Sequence, residues 1–252
     1  MNERIGFGID IGGSGIKGAP VDLATGELTA DRVRIPTPRP SKPAAVAATV
    51  AELVAAFDLP DGAPVGLTFP APIKHGIVPF IANLHRSWTG VDVPALMSEV
   101  TGRRVVAVND ADAAGVAEVA YGAAKGVPGV VLLTTLGTGI GSALVVDGRL
   151  VPNTELGHLQ VDGHDAEHRA SAAAKETEGL SWTDWAARLQ RFYETVEMLF
   201  SPDLLVVGGG ISKKHEKFLP LLTTKAPIVP AMLRNTAGIA GAARLAAAGG
   251  AT

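Results

Sequence analysis

The 252-residue chain contains no cysteine, which excludes disulfides, thiolate metal sites and cysteine nucleophiles together. Charged residues make up only 19% of it, and 22 Lys+Arg face 25 Asp+Glu for a net charge of −3. No basic block occurs, so the electrostatic footprint of a nucleic-acid binder is missing and no nucleic-acid partner is expected. No apolar run approaches the roughly 20 residues needed to cross a bilayer, and no membrane partner is expected. Residues 1–4 lead straight into a strand-like segment without an apolar leader or cleavage site, so the expected location is the cytoplasm. With 47% apolar residues and little charge, disorder is also excluded. The length suits one large domain or two small ones.

Glycine, by contrast, is abundant, with 30 residues, many of them clustered. Ile5–Ile11 reads as a buried strand running into a glycine-rich turn, and residues 16–23 and 28–35 read as two further strands. A helix is predicted over 44–57, with Val46, Val50, Leu53, Val54 and Phe57 on one stripe. Val65–Phe69 reads as a strand, residues 94–101 as a helix, and 104–108 as a strand that gives way to a small-residue helix at Asn109-Asp110. Two strands, residues 130–135 and 140–146, flank a second glycine cluster. The clearest helix covers 182–200, with Ser181 as its N-cap. A strand over 204–207 enters Gly208, Gly209 and Gly210, with a helix predicted from near Ser212. A last Ala-rich helix covers 238–248. Residues 5–22 echo residues 130–147, each running strand, glycine and hydroxyl loop, antiparallel strand.

Gly13-Ser-Gly-Ile-Lys-Gly18 matches the GxGxxG pattern after a strand. A dinucleotide fold requires a helix next, and this segment reads as a hairpin, so that function is excluded. No GxxxxGK[ST] occurs, which excludes a P-loop. Two readings of the glycine loops stand. Each is a tight hairpin, or each is an anion nest built from unshielded backbone N–H groups, with Ser14 and Thr138 adding hydroxyls and Lys17 a positive charge. Asp110 likewise reads as a helix N-cap or as a catalytic carboxylate. Asn83, Asn109, Glu155, His158 and Glu167 lie in loops and at strand ends. Such donors and acceptors in fixed geometry suit the several hydroxyls of a pyranose. The plainer reading makes Glu155 a solvated acid and His158 a structural histidine.

Taken in order, Asp10-Ile-Gly-Gly-Ser-Gly, Asn109-Asp110-Ala-Asp112-Ala, Leu136-Gly-Thr-Gly-Ile-Gly141, Glu155-Leu-Gly-His158 and Val207-Gly-Gly-Gly-Ile211 resemble the ROK-family sugar kinases over nearly the whole chain. Within that family the runs 134–159 and 162–165 are most similar to the polyphosphate glucokinases of actinobacteria. The resemblance implies an α/β, actin-like (ribonuclease H-like) duplicated fold of two lobes with a central cleft. The lobes it implies are residues 1–108 plus 238–252 and residues 109–237. It further implies phosphoryl transfer from inorganic polyphosphate, with ATP as a second donor, to the 6-hydroxyl of glucose. Mg²⁺ as cofactor and a homodimer are implied as well.

By motif matching, Asp110 is the expected general base, and Asn83, Asn109, Asp110, Glu155, His158 and Glu167 are expected to hold the sugar. Gly12, Gly13, Ser14, Gly15, Lys17, Gly137, Thr138 and Gly139 are expected to hold the transferred phosphoryl group. Gly208, Gly209 and Gly210 would border the donor, and Asp10 would anchor Mg²⁺ through water, since that ion keeps several waters and needs few carboxylates. Lys17, Arg149, Lys213 and Lys214 are candidate cations for a polyphosphate track. Three departures stand out. The family's Cys-rich zinc motif is missing, so no zinc site is expected. Ala71 replaces a common glycine, and only nine residues precede Asp10, which argues against a DNA-binding repressor. The rival expectations are an ATP-dependent hexose or N-acetylmannosamine kinase and a non-catalytic sugar sensor of the same fold.

Overall fold

The computed structural model describes residues 4–82 and 84–250. Two compact units divide the chain, one formed by residues 1–117 with 236–252, the other by residues 118–235. The sequence placed the boundaries at 109 and 237.

In the first unit, β1 (Ile5–Ile11), β2 (Ile16–Asp22), β3 (Val33–Ile35), β4 (Val65–Phe69) and β5 (Val105–Asn109) form one sheet in the order β3-β2-β1-β4-β5. β1 runs antiparallel to β2 and parallel to β4, and β4 parallel to β5. The parallel strands are buried along most of their length, which explains their continuous apolar runs. Helices α1 (Pro43–Ala55) and α2 (Val93–Thr101) cover the unit's core, in which Phe7, Leu53, Leu67, Phe69, Trp88 and Met97 are fully buried. Asp92 caps α2 by accepting from the Ala95 N–H (2.9 Å), and Gly102 closes it in the left-handed region.

The C-terminal helix, Ala237–Ala247, packs on β1 and β4 at unusually close range. A Cβ at Gly8 would land on the Ile239 carbonyl oxygen, one at Gly66 on that of Ala242, and one at Gly241 on that of Ala113. Three glycines thus let backbone meet backbone without an intervening side chain.

Helix α3 (Asp110–Tyr121) starts directly at the end of β5 and crosses the division between the units. In the second unit, β6 (Val130–Leu136), β7 (Ile140–Val146), β8 (Arg149–Val151), β11 (Leu204–Gly208) and β12 (Ile228–Pro230) form a sheet ordered β12-β11-β6-β7-β8, while β9 (Gln160–Val161) and β10 (His164–Asp165) pair separately. β6 is antiparallel to β7 and parallel to β11, so the hairpin-then-parallel pattern of the first sheet recurs. The internal echo in the sequence is therefore an echo in topology. Between β10 and β11 lie α4 (Ala166–Ala170), α5 (Ala172–Thr177) and α6 (Trp182–Phe200). Trp185, Leu189, Phe192, Tyr193 and Val196 form the buried stripe of α6, and Tyr193 shares a hydrogen bond with Thr134 (2.7 Å). Ser181 caps α6 by accepting from the Asp184 N–H (3.1 Å).

Three local expectations need correction. The strand expected over 28–35 reduces to Val33–Ile35, with Leu28 making only an isolated bridge to Val21, because the exposed run 29–32 breaks the alternation. The helix expected from Ser212 is a 3₁₀ run, Gly210–Lys217, interrupted at Lys214. Its Lys-Lys-His-Glu-Lys sequence offers no apolar stripe to hold an α-helix against the core. Residues 166–177, read as a polar stretch, form α4 and α5. They are too short to show a period, and Ser171 ends one and caps the other.

Candidate active site

Three parallel strands of the first unit end level with one another. Register places Asp10 beside Thr68 and Phe69 beside Asn109, so the carboxyl ends of β1, β4 and β5 bring polar side chains to one edge. Ligands bind at such edges in open α/β sheets. Asp10 also lies opposite Lys17 across the β1–β2 hairpin. Lys17 Nζ donates to Asp10 Oδ2 (3.0 Å), and Thr68 Oγ1 donates to Asp10 Oδ1 (3.0 Å). Lys17, expected at the phosphoryl group, is thus engaged with Asp10. Both oxygens of Asp10 are occupied, so the residues present fit a divalent ion held through water rather than by direct ligation.

Asn109, not Asp110, is the principal cap of α3. Its Oδ1 accepts from the N–H groups of Ala111 (2.8 Å) and Asp112 (3.3 Å). This leaves Asp110 with one backbone contact, to the Ala111 N–H (2.8 Å), and an exposed face. Surrounding protein nevertheless crowds the carboxyl. That desolvation, reinforced by the negative charge of Asp10, pushes its pKa from 3.8 up to about 6 in spite of the Ala111 contact. Asn83 lies outside the described residues.

The first glycine loop is closed by the Gly12 N–H donating to the Gly15 carbonyl (3.1 Å). Two residues the sequence reading did not single out brace it: Arg34 donates to the Ser14 carbonyl (2.8 Å) and Thr37 to that of Gly12 (2.5 Å). With those carbonyls satisfied, the loop's peptides are fixed, and Gly13 and Ser14 stay exposed.

In the second unit the β6–β7 loop is closed by the Gly137 N–H on the Gly139 carbonyl (3.0 Å), with Thr138 exposed. Glu167 of α4 accepts from the Ile140 N–H (3.2 Å), and a Cβ at Gly139 would collide with its carboxylate. Glycine at 139 is required by this approach. His158 is half exposed, and its Nδ1–H donates to Asp165 Oδ2 (3.1 Å), with Glu167 Oε1 at 3.9 Å. A carboxylate only accepts, so Nδ1 carries the proton and Nε2 is left to a ligand. The Asp165 bond, with the charges of Glu167 and Glu155, raises the imidazole above its ordinary 6.5. Glu155 is half-buried at the start of the 3₁₀ turn Leu156–His158. Asp165 was missed in the sequence, although it lies in the run 162–165 that carried part of the resemblance. Ligand atoms of His158, Asp165 and Glu167 all lie within 4.8 Å of one another. Gly208 ends β11, and Gly209 and Gly210 are exposed at the start of the 3₁₀ run. Among the described residues, no helix is long and apolar enough to cross a membrane.

A sequence profile described as the ROK family matches residues 6–178. A polyphosphate glucokinase of Mycobacterium tuberculosis is 50% identical over 242 residues, covering 96% of this chain and 91% of that protein. The solved inorganic polyphosphate/ATP-glucomannokinase of Arthrobacter sp. strain KM superposes with a TM-score of 0.92 at 55% identity, covering 98% of this chain and 99% of that one. A ROK family glucokinase from Streptomyces griseus, solved with glucose and AMPPNP, gives a TM-score of 0.78 at 22% identity, covering 96% and 98% of the two chains. At that identity the likeness is one of fold.

Proposed function

The chain belongs to the ROK family and has its actin-like sugar-kinase fold, and from that premise we propose that it is a polyphosphate-dependent glucokinase. It moves the terminal phosphoryl group of inorganic polyphosphate to the 6-hydroxyl of glucose, giving glucose 6-phosphate, with ATP as a second donor. The observation that carries this reading is half or more identity, over nearly the whole chain, to two proteins named for polyphosphate.

Phosphoryl transfer needs positioning and charge stabilisation more than covalent chemistry. As the sugar O6 forms its bond to phosphorus, the bridging P–O bond of the donor breaks and the shortened chain leaves with its electrons. The O6 proton passes to the Asp110 carboxylate. An ordinary aspartate is a poor acceptor near neutral pH, and the crowding that lifts Asp110 to about 6 improves the match while leaving it ionised at pH 7 to 8. Asn109 keeps the helix start in place. On the second unit, Glu155, His158 and Glu167 hold sugar hydroxyls, and Asp165 orients the His158 ring. The backbone amides of the two glycine loops receive phosphoryl oxygens.

Kinase relatives support a divalent metal cofactor, and Mg²⁺ suits the oxygen donors around Asp10, which would hold it through water. When bound, the ion supplies positive charge to the phosphoryl oxygens. The family resemblance supports a homodimer. The charge on the product, which keeps it on one side of a membrane, supports a cytoplasmic setting.

The test is a coupled glucose 6-phosphate assay that compares polyphosphate with ATP at equal phosphoryl concentration. Higher kcat/KM with polyphosphate is expected. Equal or better turnover with ATP refutes the donor assignment, and no product from either donor refutes the kinase.

A further inference from the structure

Beside the second glycine loop lies a pocket of about 490 Å³ whose lining includes Gly137, Thr138, Lys175, Glu176, Trp182 and Lys214. The loop and α5 are joined by a hydrogen bond from the Ala173 N–H to the Gly137 carbonyl (3.1 Å), so Lys175 is fixed relative to the loop. The Lys175 ammonium donates to the Leu180 carbonyl (2.8 Å) and stands 4.3 Å from the centre of the Trp182 ring. A second ammonium, that of Lys217, stands 5.7 Å from the same ring.

We infer that this pocket holds the trailing phosphates of an inorganic polyphosphate, and that Lys175 and Lys214 are the residues that favour this donor over a nucleotide. The inference rests on the reading of the chain as a polyphosphate-using kinase and names the groups that set its donor preference.

Two physical arguments carry it. First, Trp182 is the aromatic ring in the pocket lining on which a purine would stack, and cations already stand over it. A stacked base must push the Lys175 ammonium off the ring and give up a cation–π contact. A phosphate oxygen instead meets an ammonium held by one carbonyl and the ring, with an N–H left to donate. Second, the lining carries two lysines against the single carboxylate of Glu176, a surplus of positive charge next to a loop of backbone amides. A polyanion longer than a triphosphate has phosphates to reach these cations after its end group is in the loop.

The experiment measures binding of a medium-length polyphosphate by calorimetry without glucose, together with steady-state kinetics for polyphosphate, ATP and glucose. In the double variant Lys175→Gln/Lys214→Gln, polyphosphate affinity falls by about tenfold or more, as expected for the loss of charge-assisted contacts. The dependence of binding on salt becomes shallower, because fewer counterions are released from the chain. KM for ATP moves less than KM for polyphosphate, and KM for glucose keeps its wild-type value. Lys175→Arg restores much of the affinity. Lys214→Gln alone, an exposed substitution, shows a smaller loss in the same direction. Polyphosphate affinity within twofold of wild type in the double variant overturns the inference. So do equal losses for polyphosphate and ATP, since the lysines would then read only the triphosphate portion. A wild-type protein that binds polyphosphate through these lysines yet forms no glucose 6-phosphate contradicts the kinase reading and leaves this one standing.

Discussion

Asp110→Asn lowers kcat for glucose phosphorylation by about a thousandfold, the middle of the range for loss of a positioned general base. The amide oxygen still accepts from the Ala111 N–H, so the start of α3 keeps its geometry and KM for glucose changes little. Loss of activity is not accompanied by loss of stability. The carboxyl titrates near 6 in the folded chain and near 3.8 when unfolded, so the folded state holds the extra proton between those values. Wild-type stability from this group is therefore greatest below about pH 4 and declines as pH rises towards 6. The asparagine variant is freed from that penalty. Its melting temperature equals or exceeds that of wild type at pH 8, and the difference shrinks as pH falls towards 4. A folded variant with near-normal kcat removes Asp110 from the chemistry.

Gly66→Ala is expected to destabilise the protein by about 3 kcal/mol or more, at the upper end of what overpacking costs, because the new methyl meets a backbone carbonyl rather than a flexible side chain. Either the C-terminal helix lifts from β4 or the strand shifts, and both disturb the strands whose ends carry Asp10 and Thr68. Urea unfolding followed by circular dichroism measures the shift in midpoint. Gly210→Ala, which points into open space at a non-left-handed position, is the control and should stay within about 0.5 kcal/mol. A loss below about 1 kcal/mol at Gly66 would mean that the close helix–strand contact is readily relaxed.

Much of this was legible in the sequence because periodicity and glycine placement are local signals. Helix α6 was read at its observed bounds, since eight large apolar residues repeat along it behind a serine cap. Both hairpins were legible because a turn follows each second strand, which ruled out a dinucleotide helix. What the sequence could not give was pairing across the sheet. Lys17 looked like a free cation, but strand register sets it on Asp10. Asn109 looked like a sugar ligand, and its side-chain oxygen is spent capping α3. Asp165 and Arg34 come to their partners, His158 and Ser14, from 7 and 20 residues away, through a small hairpin and an edge strand that carry no strong pattern. Glu167 sits on a helix too short to announce itself.

The central claim, that a crowded aspartate at the end of β5 accepts the sugar proton, is tested most directly by the pH dependence of kcat with saturating glucose and donor. For wild type the rate should fall about tenfold per pH unit below a midpoint near 6, and the Asp110→Asn variant should lose that limb while keeping any titration of the donor. A wild-type rate that stays flat down to pH 4.5, or an identical limb in the variant, contradicts the account.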